Sequence, residues 1–545
     1  MYSRAELIGV SLENGSTLSS VFHACGEAAQ QIHRECEEIL GTSSQSHDVG
    51  LAGCGSALVS LLGRQALQIS HRYQSRKSAD PPDTPTAAGK QSFVLRRLED
   101  IISITYSKFY AFLFKDLPYC WRQLYTDASI LKFCLLVEQT SRVREDVEVE
   151  TKGPDRDELT EVIKVLDLAL ILAGGAGQQR GRKWIDQAFE LLHRAWAAKQ
   201  GTGDDASFNM ERPKKRLRSG EGELGVVSPD RGTATRVFST REPFTPPVKH
   251  PIKRLEAVSL YAFQSHLDNP LDRKVGPQPL VLTNVVEGWP ACSTHPWNRP
   301  AYLLSQTLDG RRLVPVEIGR SYVDEGWGQK LITFGEFLRD YIDPSLSEPE
   351  ITETEDGLAP PPDKPIAYLA QHQLFTQFPA LRNDILIPDY CYTSPPPHPT
   401  DRSIDQPELD EPLLNAWFGP PGTITPLHND PYHNLLVQVV GRKYVRLYSP
   451  LETERMHARG KEEGVEMGNT SMIDVGVIEG WDHVPQDQDQ DASDQEKNER
   501  VQQAFKEVPF VDCILEPGDT LYIPNGWWHY VRGLSVSFSV SFWWN

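Results

Sequence analysis

The sequence predicts an α+β chain: an N-terminal all-α helical domain followed by a double-sheet jelly roll. Three observations carry this. Residues 1–200 hold only five of the 41 prolines and repeat apolar residues every three to four positions, the spacing of one helix face. Residues 201–250 turn polar and charged, as linkers do. After Pro251 the chain breaks into short β-branched and aromatic runs separated by Gly and Pro, with few helices between them, which favours two packed sheets over a parallel α/β sheet.

In the helical domain, Leu18, Val21, Phe22, Cys25, Ala29, Ile32, Cys36 and Ile39 form one apolar stripe, and Trp184, Ile185, Ala188, Leu192, Ala195 and Trp196 another. Such a bundle suits the recruitment of a partner protein. The linker at 201–250 contains Arg212-Pro213-Lys214-Lys215-Arg216-Leu217-Arg218, whose exposed basic character suits nuclear import. The expected location is nuclear, with a cytoplasmic pool allowed. Within 251–545, a helix is expected at Thr333 to Tyr341, a hairpin at Leu435 to Tyr448 turning at Gly441-Arg442, and a strand pair around Pro517-Gly518. The clearest strand is the last, where Leu534, Val536, Phe538, Val540 and Phe542 alternate with Ser535, Ser537, Ser539 and Ser541. Its serine face leaves room for a ligand. Ser345 to Pro365, Ser394 to Pro412 and Glu479 to Arg500 look like surface insertions, partly disordered and without chemistry.

Composition excludes several function classes. A net charge of −20 disfavours broad binding to nucleic acid, which depends on neutralising phosphates, and no sequence-specific nucleic-acid contact is expected. There is no run of 18 apolar residues and no signal-peptide layout at Met1-Tyr2-Ser3-Arg4, so neither a membrane nor an exported setting is expected. The eight cysteines contain no Cys-x-x-Cys, which argues against zinc modules and leaves small buried thiols.

His428-Asn429-Asp430 and His529 give two histidines and a carboxylate, the ligand set of non-haem Fe(II) oxygenases. The short pattern also occurs at His33-Arg34-Glu35 and His266-Leu267-Asp268, but there the periodicity is helical, and residues i and i+2 on a helix face different ways. His428 follows a segment rich in Gly, Pro and Thr, so it and Asp430 are expected together at a strand end, both aimed inward. Lys443, 15 residues after His428, falls on the next inward-facing strand, where a lysine without an anionic ligand would be costly. His433 is expected beside the metal ligands but not among them.

Residues from about 252 to 545 resemble the Jumonji C (JmjC) family, most like the subgroup of Jumonji-domain-containing protein 5, or lysine demethylase 8. The resemblance rests on Val314-Pro315-Val316-Glu317, Tyr368 to Phe375, Ile387-Pro388-Asp389-Tyr390, Trp417-Phe418-Gly419-Pro420, the run Pro426 to Pro450, and Trp528-His529-Tyr530 through Trp544. It implies a double-stranded β-helix of the cupin-like kind and a dioxygenase that uses Fe(II), 2-oxoglutarate and O2. It places iron on His428, Asp430 and His529, and 2-oxoglutarate on Tyr368, Thr425, Asn434 and Lys443. A protein or peptide substrate would meet Glu317, Gln371 and Trp417. The implied reaction is hydroxylation of arginine residues in a protein. Histone lysine demethylation, or a non-catalytic jelly-roll scaffold in a nuclear complex, are the alternatives.

Overall fold

The apolar stripes of the N-terminal half form long helices in a computed structural model, which describes residues 17–41, 50–75, 86–112, 116–142, 156–200, 236–323, 326–344, 366–462, 465–483 and 500–545. The chain divides into two units, Met1–Gly225 with Arg311–Leu313, and Val226–Gly310 with Val314–Asn545. In the first, helices α1 (Thr17–Gly41), α2 (Ser56–Ser75), α3 (Thr86–Phe109), α4 (Tyr119–Arg142), α5 (Arg156–Ala173) and α6 (Gly181–Gln200) follow one another. Cys25, Ala29, Ile32 and Cys36 of the first stripe are fully buried. Helix α4 is buried nearly all round and contacts α1, α3 and α5, so it is the axis of the bundle. No helix among the described residues is long and apolar enough to cross a membrane. The basic run at 212–218 lies outside them.

The second unit is a sheet-rich jelly roll. Its strands are β1 (Arg254–Glu256), β2 (Leu280–Thr283), β3 (Leu313–Ile318), β4 (Gly328–Thr333), β5 (Ala367–His372), β6 (Leu413–Gly419), β7 (Ile424–His428), β8 (His433–Val440), β9 (Lys443–Tyr448), β10 (Lys461–Glu462), β11 (Val465–Glu466), β12 (Phe510–Leu515), β13 (Thr520–Ile523), β14 (Trp528–Gly533) and β15 (Ser537–Trp544). The large sheet runs β1-β2-β13-β8-β15-β6-β5-β3-β4 and the small one β12-β9-β14-β7.

Two turns differ from the expected hairpins. Strands β8 and β9 do not pair: β8 lies between β13 and β15, whereas β9 lies between β12 and β14. The turn at Gly441 carries the chain from one sheet to the other. A side chain there would meet the Val536 carbonyl at 1.9 Å, and φ is +68°, so only glycine fits. Pro517-Gly518 likewise joins β12 of the small sheet to β13 of the large one.

Alternation on these strands sorts the side chains into layers. On β8 and β15, Leu435, Val437, Phe538, Val540 and Phe542 join Trp297, Phe334 and Phe337 in the core that covers the outside of the large sheet. Leu436, Val445, Leu447, Leu515, Ile523 and Val531 fill the space between the sheets. Tyr444, Tyr448, Trp528 and Tyr530 form a third cluster on the outer side of the small sheet. The serines of β15 face inward opposite Gln438 and Leu436, and none of them lines the cavity at His428, Asp430 and His529. Ser539 donates to Gln438 Oε1 at 2.7 Å and Ser541 accepts the Trp417 indole N–H at 3.0 Å.

Three further expectations change. Residues 236–250, read as linker, are packed: Phe238 is buried in the large core and Glu242 pairs with Arg442 at 2.7 Å. Residues 394–412 are folded against the jelly roll, because His398 is buried, its backbone N–H reaches Asp405, and Asn545 donates to the carbonyls of Gln406 and Pro407. The third insertion begins with structure as well, since Glu479 accepts from Arg446 and Lys249 at 2.7 Å each. Residues 345–365 and 484–499 lie outside the described set. The expected helix near 333 is present: Thr333 caps it, and Glu336 completes a capping box before a π-helical turn at Phe337–Ile342. All eight cysteines are free, and only Cys292 is exposed.

Candidate metal and co-substrate site

Pro426 shapes the first part of the site. Strands β7 and β14 pair with His428 directly opposite His529, but the register slips before Val531 meets Thr425, so β7 carries an extra residue there. A proline cannot donate to the ladder, which makes a bulge its natural place. Its carbonyl accepts His428 Nδ1 at 2.8 Å, and the Trp527 carbonyl accepts His529 Nδ1 at 3.1 Å. Each backbone bond fixes a tautomer and leaves Nε2 free to act as a ligand.

Both Nε2 atoms turn to Asp430, at 3.9 Å from His428 and 3.6 Å from His529, and one donor atom from each of the three residues lies within 4.8 Å of the others. Among the described residues this is the one group of His, Cys, Asp and Glu side chains with metal-holding geometry. Burial raises the Asp430 carboxyl above its usual range, with the His428 ring pulling it back, and burial pushes the His529 ring well below the usual imidazole range. The donor set suits a divalent ion on chemical grounds: two imidazole nitrogens and one carboxylate in a largely buried pocket. The other two His-x-Asp/Glu patterns lie on helices, at α1 and at α7 (Leu260–Asp268). His433 is not a ligand, because Tyr522 and the Pro396 carbonyl occupy its two nitrogens at 2.8 and 2.9 Å.

Beside the triad the same cavity is lined by Tyr368, Trp417, Thr425, Asn434, Leu436, Lys443, Ile523 and Val531. Lys443 opens β9, is 2% exposed, and reaches across from the small sheet to the Tyr368 hydroxyl of the large one at 3.2 Å. Among the described residues that hydroxyl is its hydrogen-bond partner, and no carboxylate faces it. Burial accordingly pushes its ammonium down to about 7. Thr425 bonds the same Tyr368 hydroxyl. The buried Asn434 Oδ1 also lacks a partner. A cation, two hydroxyls and an amide thus meet in a buried space whose carboxylate, Asp430, turns to the two histidines instead, which fits an acidic ligand.

Glu317 pairs in register with Tyr368 across β3 and β5, so both side chains share one face of the sheet. Burial raises its carboxyl above the usual range while the Trp327 indole N–H, bonded to it, lowers it. The Trp417 ring lies 6.2 Å from that of Tyr368. Gln371 does not join them. A bulge sits between Leu369 and His372, Gln371 takes a left-handed φ of 46°, and its side chain is exposed. Two residues that sequence reasoning missed stand here instead. Tyr322, its hydroxyl 3.3 Å from Thr470 Oγ1, is raised above the usual phenol range by burial and feels the charges of both Asp430 and Glu317. Trp327 holds the Glu317 carboxylate. Both lie in a glycine-bearing loop after β3, where no periodicity marks them.

A family model described as a cupin-like domain matches residues 275–545. The chain is similar to lysine-specific demethylase 8 of Danio rerio, 40% identical over 306 residues that cover 56% of this chain and 60% of that protein. It is similar to lysine-specific demethylase JMJ30 of Arabidopsis thaliana, 40% identical over 267 residues, 49% of this chain and 50% of the relative. Jumonji C domain-containing protein 5 of Drosophila melanogaster is 36% identical over 293 residues, 54% and 59% of the two chains. The match therefore spans between half and three fifths of these relatives' own length.

Proposed function

We propose that residues 275–545, which match the cupin-like model, form a domain of the JmjC kind, and on that premise that the protein is an Fe(II)- and 2-oxoglutarate-dependent oxygenase that hydroxylates arginine side chains of a protein substrate. One observation supports it above all: the three-ligand centre and the buried, carboxylate-free Lys443 line the same cavity. Bound iron and 2-oxoglutarate would supply the oxidation, in which O2 is consumed, 2-oxoglutarate becomes succinate and carbon dioxide, and one oxygen atom enters a target C–H bond.

The chain's own residues arrange the reactants. Lys443 pairs with the distal carboxylate of 2-oxoglutarate, and the Tyr368 and Thr425 hydroxyls complete its hydrogen bonds. Asn434 lies where it can donate to the other end. Ile523, Leu436 and Val531 keep water from that end of the cavity. On the target side, Glu317 accepts two parallel hydrogen bonds from a guanidinium, and Trp417 stacks on its plane. A trimethylated lysine has no N–H to offer Glu317.

Lysine demethylation is the second reading, favoured by the names of the relatives in Danio rerio and Arabidopsis thaliana. Mass spectrometry of arginine and methyl-lysine peptides after incubation with iron and 2-oxoglutarate separates the two. Gain of one oxygen atom on the arginine peptide is expected; loss of a methylene from the lysine peptide in its place overturns the arginine reading. We further propose a nuclear location served by the run Arg212 to Arg218, and a partner protein on the helical unit.

A further inference from the structure

We infer that Asp482 is a positioning residue for the target pocket: it ties the loop that carries Tyr322, and with it Glu317, to the strand that carries His529. This rests on the proposed role of Glu317 as the seat of the target side chain. The Asp482 carboxylate accepts from Arg532 Nη1 at 2.9 and 2.7 Å and from Arg320 Nη1 at 2.8 Å. Arg532 stands three residues after His529 on β14, and Arg320 lies between Glu317 on β3 and Tyr322. The other amino group of Arg320 donates to Asp474 at 2.7 Å. Its carbonyl accepts from Ile424 N–H at 3.1 Å, at the start of the strand that ends in His428. The loop is thus held by its side chain to β14 and by its main chain to β7, the two strands that present the histidines.

The place for Asp482 is built for a carboxylate. Its side chain is 12% exposed, against 10% for Arg532 and 25% for Arg320, so solvent screens these pairs far less than surface ones. The short helix Val475–Ile478 is capped by Asp474, and the Gly476 carbonyl in it accepts from Trp481 and Asp482 N–H at 2.8 and 3.1 Å. A Cβ at Gly476 would lie 1.9 Å from Asp482 Oδ2. Any side chain at 476 therefore displaces the carboxylate without altering a charge. Among the described residues, Asp482 makes no side-chain bond to Tyr368, Thr425 or Lys443, so its loss acts on the target side of the cavity and not on the 2-oxoglutarate side.

The test uses the full chain with Fe(II) and 2-oxoglutarate, on a set of arginine peptides and a matched set of methyl-lysine peptides. With a peptide that the wild type oxidises, Asp482→Asn and Gly476→Ala are expected to raise KM for the peptide about tenfold, the loss of one charge-assisted hydrogen bond. The KM for 2-oxoglutarate and the peptide-independent formation of succinate stay unchanged, and more succinate is formed per hydroxylated peptide. Arg320→Lys, which keeps the charge and loses the fork, falls between. If Asp482→Asn does not fold, Gly476→Ala carries the same expectation. An unchanged peptide KM, or an equal fall in peptide-independent turnover, overturns the assignment. Oxidation of methyl-lysine peptides alone sinks the arginine reading, yet the same KM split on them still supports Asp482; oxidation of neither set overturns both.

Discussion

Each unit of the protein buries a cation, and the two solve the problem in opposite ways. In the helical unit, Arg180 is 3% exposed and meets Asp127 at 3.0 Å and Glu35 at 2.6 Å. Burial works against its charge, but the two carboxylates outweigh it and hold the guanidinium above its ordinary range. In the jelly roll, Lys443 is as deeply buried and among the described residues bonds a phenol and no carboxylate, so burial wins and its ammonium falls to about 7. Removing a charge from water without a counter-charge costs several kcal/mol. The paired cation is architecture; in the proposed function the unpaired one is half of an interaction whose other half is the co-substrate.

The largest expected effect lies at the three-residue centre that shares a cavity with Lys443. His428→Ala, Asp430→Ala and His529→Ala should each reduce succinate formation to background while circular dichroism and the melting temperature stay close to the wild type, because each removes one of the three proposed ligands. Normal turnover in any of them breaks the assignment.

The two cations should then respond differently to removal. Asp127→Ala leaves Arg180 poorly neutralised and is expected to cost about 3–5 kcal/mol of stability, read by urea titration, with no change in the KM for 2-oxoglutarate. Lys443→Met should do the reverse: stability holds or rises, and the 2-oxoglutarate requirement climbs about 100-fold or more. Equal stability losses would erase the contrast.

A smaller effect comes from pH. Lys443 has a lowered pKa in the ligand-free fold, so the unfolded chain binds that proton more tightly, and the wild type should gain stability relative to Lys443→Met as pH rises from about 7 towards 10.5. Binding of a dianion needs the protonated lysine. The KM for 2-oxoglutarate should therefore be flat below about 7 and rise by up to about tenfold per pH unit above it. The smallest catalytic effect is expected from deletion of Arg212 to Arg218, which should move a tagged protein from nucleus to cytoplasm and leave turnover in vitro unchanged.

Much of this was legible in the chain because it follows from local rules. The alternation of Phe538, Val540 and Phe542 with serines marks β15, and the Gly- and Pro-rich approach to His428 separates it from two helical look-alikes. Lys443 was legible because a lysine on an inward strand demands a reason. What escaped depends on contacts distant in sequence. The turn at Gly441 reads as a hairpin until the Val536 carbonyl is seen against it, and residues 394–412 read as loop until His398, Asp405 and Asn545 are brought together. Gln371 fails for a geometric reason, since a residue three after Tyr368 is out of step with a strand's period of two, and it sits exposed in a bulge with a left-handed φ. Tyr322 and Trp327 sit in a loop whose only sign of importance is the carboxylate that it faces.

The most direct test of the central claim compares two ligands on two proteins. Anaerobic calorimetry with Fe(II) would measure binding of 2-oxoglutarate and of 2-oxobutyrate, which keeps the keto acid and lacks the distal carboxylate, to the wild type and to Lys443→Met. The wild type is expected to prefer 2-oxoglutarate by about 100-fold, and Lys443→Met to bind the two nearly alike. The same preference in both proteins would show that Lys443 does not hold the co-substrate, and would contradict the account.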